Sequence, residues 1–327
     1  MLSDGRRVGA HLPLAPGMVK AVERAHTIGA DALQIFCDNP PSWRRRATLP
    51  RELPTFRARL AELGIGPLAI HAAYLVNLAG DEPTFHAQSI DVLATDMRAG
   101  TAYGAAFLNV HIGSHRGAGA EAGAAALAEG VAHVFERVPP GPDVPRLVLE
   151  NSAGSGFGFG ATIDELAQID RALAHRGVDR ARVGFCLDTA HLWGAGYDLR
   201  SADAVEALLD AFGERLGLER LVMVHLNDSR SELGSRTDRH EHLGAGRIGA
   251  TGLRNVLTHP ALGHATFYLE TPGMEDGYDA INLERARLIA EGRRLPTLPP
   301  AAFQLRRSRS RVGPAEHPDD APLVAHG

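Results

Sequence analysis

Short apolar runs alternate along the chain with longer stretches in which apolar residues recur every three or four positions. The short runs suit buried strands and the longer ones amphipathic helices. Strands are read at 8–14, 32–37, 67–71, 107–112, 146–150, 183–188, 221–226 and 266–270. Helices are read at 19–30, 54–63, 90–103, 120–137, 163–176, 202–216, 251–258 and 280–291. This repeated strand–helix alternation predicts an α/β fold, and its length in units predicts a TIM (β/α)8 barrel. A doubly wound open sheet is the alternative.

The 327 residues exceed the roughly 250 that a barrel needs, without requiring a second domain. Gly-Pro-rich segments such as 139–145 read as loops between units. The pattern ends near residue 295. Residues 1–295 are therefore read as one catalytic domain. Residues 296–327, rich in proline and arginine and without a periodic apolar face, are read as a disordered tail.

An apolar content of 44% supplies a sizeable core. Two cysteines, Cys37 and Cys186, exclude a disulfide framework and suit a reducing cytoplasm. No apolar run approaches the roughly 18 residues of a membrane span, and the first seven residues lack a signal-peptide core. The net charge of −5 argues against a nucleic-acid partner. Two facts weaken that argument. Bound cations would add positive charge, and every basic residue except Lys20 is arginine, the better phosphate ligand.

The strand ends change the picture more. Catalytic residues of a parallel barrel lie at the C-terminal ends of its strands and in the loops that follow. There the sequence has His71, His111, Glu150, Asp188 with His191, His225, and Glu270; the loop after the seventh strand adds Asp238 and His240. One histidine at a strand end is more often structural than a ligand. Nine imidazoles and carboxylates at successive strand ends are another matter, because gathering four carboxylates without cations is costly. Mixed His/Asp/Glu donors without thiolates suit zinc, and also manganese or iron. Nine donors fit two or three ions, and such a cluster suits phosphoryl chemistry. There is no G-x-S-x-G nucleophile elbow.

The segments HAAYLVNLA, LNVHIGSH, ENSAGSG, LDTAHLWGAGYD and VHLNDSRSELGSRTDRHEHLGAGRIG occur in that order. Together they resemble the endonuclease IV family (deoxyribonuclease IV, AP endonuclease family 2), within the xylose-isomerase-like TIM barrels. The resemblance implies three Zn2+ ions, with Mn2+ as a possible substitute. His71, His111 and Glu150 would hold the first. Glu150 would bridge to a second held also by Asp188, His225 and Glu270, and His191, Asp238 and His240 would hold the third. It implies an apurinic/apyrimidinic endodeoxyribonuclease of base excision DNA repair. A metal-bridging hydroxide would cut the phosphodiester 5′ to an abasic site and leave a 3′-hydroxyl, with Glu150 as the catalytic carboxylate. The implied partner is double-stranded DNA with abasic sites, with no membrane and no obligate protein partner.

The DNA-facing loops depart from the family pattern. An arginine expected to enter the DNA stack is replaced by Pro41, and Asp-Ser after His71 by Ala72 and Ala73. Ser155 stands where the family has glutamine. Tyr74 and Leu75 match two residues that wedge into the minor groove, and Arg44, Arg45 and Arg46 are candidates to supply the missing cation. His11 is a candidate to support the ligands from behind. His115 and His242 have no ligand role in the resemblance and are read as phosphate contacts or solvated side chains; Trp43 and Trp193 are read as loop anchors or DNA contacts. The competing function is a sugar isomerase or epimerase on the same barrel, which uses one or two divalent ions to move protons.

Overall fold

The computed structural model describes residues 1–304, apart from Pro16 and Glu275. Eight parallel strands form a closed barrel: β1 (Val8–His11), β2 (Leu33–Ile35), β3 (Leu68–His71), β4 (Phe107–His111), β5 (Arg146–Glu150), β6 (Val183–Asp188), β7 (Leu221–His225) and β10 (Thr266–Leu269). Each pairs with its neighbours in sequence order, and β1 closes the ring against β10. The open-sheet alternative is excluded by that closure.

The connecting helices are α1 (Met18–Thr27), α2 (Leu53–Glu62), α3 (Pro83–Tyr103), α4 (Ala120–Arg137), α5 (Ile163–His175), α7 (Ala202–Leu216), α8 (Gly249–Leu257) and α9 (Tyr278–Ala290). Every expected strand and helix is present. Three features differ. First, α3 begins at Pro83 rather than 90, because the Glu82 carboxylate accepts the N–H groups of Thr84 and Phe85 and caps a polar first turn that has no apolar periodicity. Second, a short helix, α6 (Thr189–Ala195), follows β6 directly, capped by Asp188. Third, the loop after β7 carries a two-stranded ribbon, β8 (Asp228–Ser229) and β9 (His240–Glu241).

The strands sort their side chains by parity. Leu68 and Ile70, or Leu147 and Leu149, join the large core shared with the helices. Ala69, Val148, Cys186, Met223 and Tyr268, together with Ala32, form a separate cluster. Alternation assigns that second set to the inside of the barrel. Two residues further along each strand, the same inner face presents Gln34, His71, Glu150, Asp188, His225 and Glu270. An apolar plug thus gives way to a polar floor at the C-terminal end of the barrel.

The first residues of the expected tail pack on the barrel. Leu298 and Ala302 are buried, His242 Nε2 donates to Ala302 O at 3.0 Å, and Arg285 donates to Pro296 O at 2.7 Å. Residues 296–304 therefore pack on the barrel; the rest of the expected tail, 305–327, lies outside the described residues. Among the described residues no helix is long and apolar enough to cross a membrane.

Candidate metal centre

The nine side chains expected at the strand ends converge. His71, His111 and Glu150 bring donor atoms within 4.8 Å of one another, as do Glu150, Asp188, His225 and Glu270, and a third group of Asp188, His191 and His240. Asp238 completes that third group, with its oxygens 3.3 Å from His191 Nε2 and 3.1 Å from His240 Nε2. Glu150 belongs to two groups. Its Oε2 lies 3.6 Å from His71 Nε2 and 3.5 Å from His111 Nε2, while Oε1 lies 3.1 Å from His225 Nδ1. Asp188 spans the second and third groups in the same way, 4.0 Å from His225 Nδ1 and 3.6 Å from His240 Nε2.

The imidazoles are aimed before any ion arrives. His71 Nδ1–H donates to Ala72 O at 2.7 Å, His191 Nδ1–H to Asn151 O at 2.8 Å, and His240 Nδ1–H to Glu270 O at 2.9 Å. Each bond occupies one ring nitrogen with a main-chain carbonyl and turns Nε2 into the site, the usual means of orienting a metal-binding histidine. It also explains why Ala72 can stand in the motif after His71: the carbonyl does the orienting, whatever the side chain.

Three asparagines outside the expected set hold Glu150, Asp188 and Glu270 in place. Asn109 Nδ2 donates to Glu150 Oε2. Asn151 Oδ1 accepts the backbone N–H of Asp188 at 2.7 Å. Asn227 Nδ2 donates to Asp188 Oδ2 at 2.7 Å, and its Oδ1 accepts the Glu270 N–H at 2.9 Å. Asp188 also caps α6 by accepting the His191 N–H at 2.9 Å, which couples the positions of two donors through one turn of helix. Asp228, buried, accepts the N–H groups of Gly246 and Ile248 and draws in the G-x-G-x-I-G loop. A Cβ at Gly246 would collide with Ser229 O, so the close approach requires glycine. Strand parity could have revealed Asn109 and Gln34, which share the inner face with His11.

The electrostatics call for cations. Glu150, Asp188 and His225 are fully buried. Burial would raise the Glu150 carboxyl, but His225 and His111 hold it well below the usual carboxylate range. Burial would lower the His191 and His240 imidazoles, but the facing carboxylates prevail. His191 is held well above its ordinary range by Asp188 and Asp238, and His240 is raised to about 10 by the same two residues. With Nδ1 already tied to a carbonyl, each ring needs positive charge at Nε2, supplied by a proton or by a metal. His240 Nε2 is buried and makes no aligned hydrogen bond although Asp238 Oδ1 is 3.1 Å away. The donor chemistry, nitrogen and oxygen without thiolate, fits zinc.

Around the rim, Tyr74 is half-exposed, its ring 5.7 Å from that of His71, and Leu75 is partly exposed beside it. Arg44 and Arg46 are exposed. Arg45 departs from expectation. Its Nε lies 3.2 Å from the buried Asp96, its Nη1 donates to Asn39 O at 3.2 Å, and only 9% of its side chain is accessible. It anchors the loop after β2 to α3 instead of facing outward. His115 Nδ1 accepts the N–H groups of Gly117 and Gly119 and shapes a turn. His242 is buried against Asn282 and Ala302, and Trp193 donates to Ser231 O at 2.9 Å.

A closed parallel barrel with a carboxylate–imidazole floor defines the class, and the matching family model, xylose isomerase-like TIM barrel, spans residues 22–295. The chain is 40% identical over 284 residues to a probable endonuclease 4 of Methanoculleus marisnigri, covering 86% of this chain and 98% of that protein. It is 38% identical to another from Halothermothrix orenii, covering 85% and 99%. The crystal structure of endonuclease IV from Thermus thermophilus matches with a TM-score of 0.75 and 39% identity, covering 88% of this chain and 99% of that one. The chain belongs to the endonuclease IV family. A D-tagatose 3-epimerase-like protein, at 14% identity and a TM-score of 0.62, shares the fold alone.

Proposed function

We propose that the protein is a zinc-dependent endodeoxyribonuclease of base excision repair, acting in the cytoplasm on double-stranded DNA and cutting 5′ to abasic sites to leave a 3′-hydroxyl. The observation that carries the reading is the group of His191, Asp238 and His240 beside the two groups that share Glu150. A sugar epimerase needs one or two ions and has no use for this third set of donors.

His71, His111 and Glu150 would hold one ion, Glu150, Asp188, His225 and Glu270 a second, and His191, Asp238 and His240 a third. When bound, zinc supplies Lewis acidity, bringing the pKa of water to about 7 and offsetting charge on the phosphate and the leaving oxygen. The chain's own residues set where this happens. Glu150, buried and shared, keeps two positions at a fixed separation. Asn109 keeps its carboxylate from rotating, and Asn227 does the same for Asp188. Tyr74 and Leu75, at the rim next to His71, are suited to enter the minor groove where a base is missing. An abasic sugar is cheaper to extrude because no base has to be unstacked.

The test is incision of a duplex with one abasic analogue. A single cut 5′ to the lesion, leaving a 3′-hydroxyl, abolished by chelation and restored by zinc, is expected. No incision by zinc-replete protein, or ketose epimerisation by the manganese form, overturns the reading.

A further inference from the structure

Gln34, on the inner face of β2, is fully buried and outside every motif that identified the site. A buried primary amide offers two N–H donors and one acceptor oxygen. Its Oε1 lies 3.0 Å from His225 Nε2 and its Nε2 lies 2.6 Å from Glu270 Oε1. His11 Nδ1 lies 3.0 Å from the amide nitrogen and 3.1 Å from the same Glu270 oxygen. The opposite amide orientation would set two oxygens 2.6 Å apart, so the Glu270 carboxylate dictates which end is which.

Two consequences follow for the donors. An oxygen can only accept, so the proton of His225 sits on Nε2. That leaves Nδ1 facing Glu150 Oε1 at 3.1 Å and Glu270 Oε2 at 3.5 Å, where a proton or an ion would lie between the nitrogen and the carboxylates. Meanwhile Glu270 is gripped by one oxygen, leaving Oε2 turned toward His225. The other oriented rings, His71, His191 and His240, lean on main-chain carbonyls that no substitution removes. His225 leans on a side chain.

We infer that Gln34 is a positioning residue for the metal position formed by Glu150, Asp188, His225 and Glu270, fixing the tautomer of one donor and the free oxygen of another. The inference rests on the zinc reading above. It makes the affinity of this position depend on a side chain outside the donor set.

The experiment is zinc stoichiometry and affinity by chelator competition at graded free zinc, with folding followed by circular dichroism and the His225 tautomer by 15N NMR. Wild type, Gln34→Met and Gln34→Glu are compared. Gln34→Met keeps the volume and removes the hydrogen bonds to His225 and Glu270. It should bind the other two ions as wild type does and the ion of this position about 10–100-fold more weakly, with His225 no longer confined to one tautomer. Gln34→Glu still accepts from His225 but opposes a carboxylate to Glu270. It should keep the tautomer and still weaken that one ion. If Gln34→Met does not fold, Gln34→Glu decides by the same criterion. Wild-type affinity for every ion in the folded variants, or equal weakening of all ions together with a lowered melting temperature, overturns the inference. A wild type that takes up no zinc overturns the metal reading itself, and the inference with it.

Discussion

Glu150 Oε1 lies 3.1 Å from His225 Nδ1, although the two residues are 75 positions apart and on strands that do not pair. The same carboxylate reaches His71 and His111 with its other oxygen. Glu150→Gln keeps the shape and the Asn109 contact but removes the charge that two ions would share. Incision should fall by several orders of magnitude while the circular dichroism spectrum is unchanged. Near-normal cleavage by a folded, metal-loaded variant would contradict the assignment.

The third donor group is separable. Asp238 is half-exposed in the loop between β8 and β9, so its loss leaves the barrel floor in place. Asp238→Ala or His240→Ala should lower zinc content by about one ion per chain and slow incision, while substrate binding is partly retained. Elemental analysis of the purified variants checks this; unchanged stoichiometry would exclude the loop as a ligand loop.

Metal removal should expose a specific pH dependence. His240 in the metal-free fold is raised from 6.5 to about 10, so its contribution to stability is fully present below about 6.5 and lost as pH rises through about 10. His191 shifts in the same direction. Glu150 and Asp238 are lowered, so theirs is present above the ordinary carboxylate range and lost in acid. The chelated protein should therefore lose melting temperature steadily between about pH 7 and 10, and the zinc form should not, since metal replaces the protons. Zinc uptake near neutral pH in weak buffer should release protons. Parallel melting curves for both forms across that range would show that the imidazoles are not charged in the free protein.

The loop after β2 divides its arginines by role. Arg44 faces solvent, Arg46 is exposed but lies 3.6 Å from Asp38, and Arg45 pairs with buried Asp96. Replacing Arg44 and Arg46 with alanine should weaken binding to abasic duplex and make the salt slope shallower by up to about 2 units, with zinc content unchanged. Arg45→Ala should instead lower stability by roughly 3 kcal/mol, because Asp96 is left buried without its partner. A double variant with wild-type affinity and slope would mean that DNA is gripped elsewhere.

The sequence by itself determined the barrel and which nine imidazoles and carboxylates gather at its C-terminal end. Eight apolar runs of strand length, separated by amphipathic helices, leave few topologies, and each run from the third onward carries an imidazole or carboxylate at or beside its end. What it did not determine lay where local pattern carries no signal. The start of α3 depends on a carboxylate cap in a polar turn, and α6 is one short buried helix without amphipathic contrast. Arg45 looks like its neighbours in sequence; only the packing of α3 against the β2 loop puts a buried carboxylate beside it. Gln34 and Asn109 belong to no motif that reads as ligand chemistry. They become part of the site only when ring closure brings β2 and β4 into the same polar floor as β5, β7 and β10. Period-2 alternation fixes which face a strand residue takes, but which strands meet across the barrel is a property of closure. The tautomers of the histidines depend on those partners.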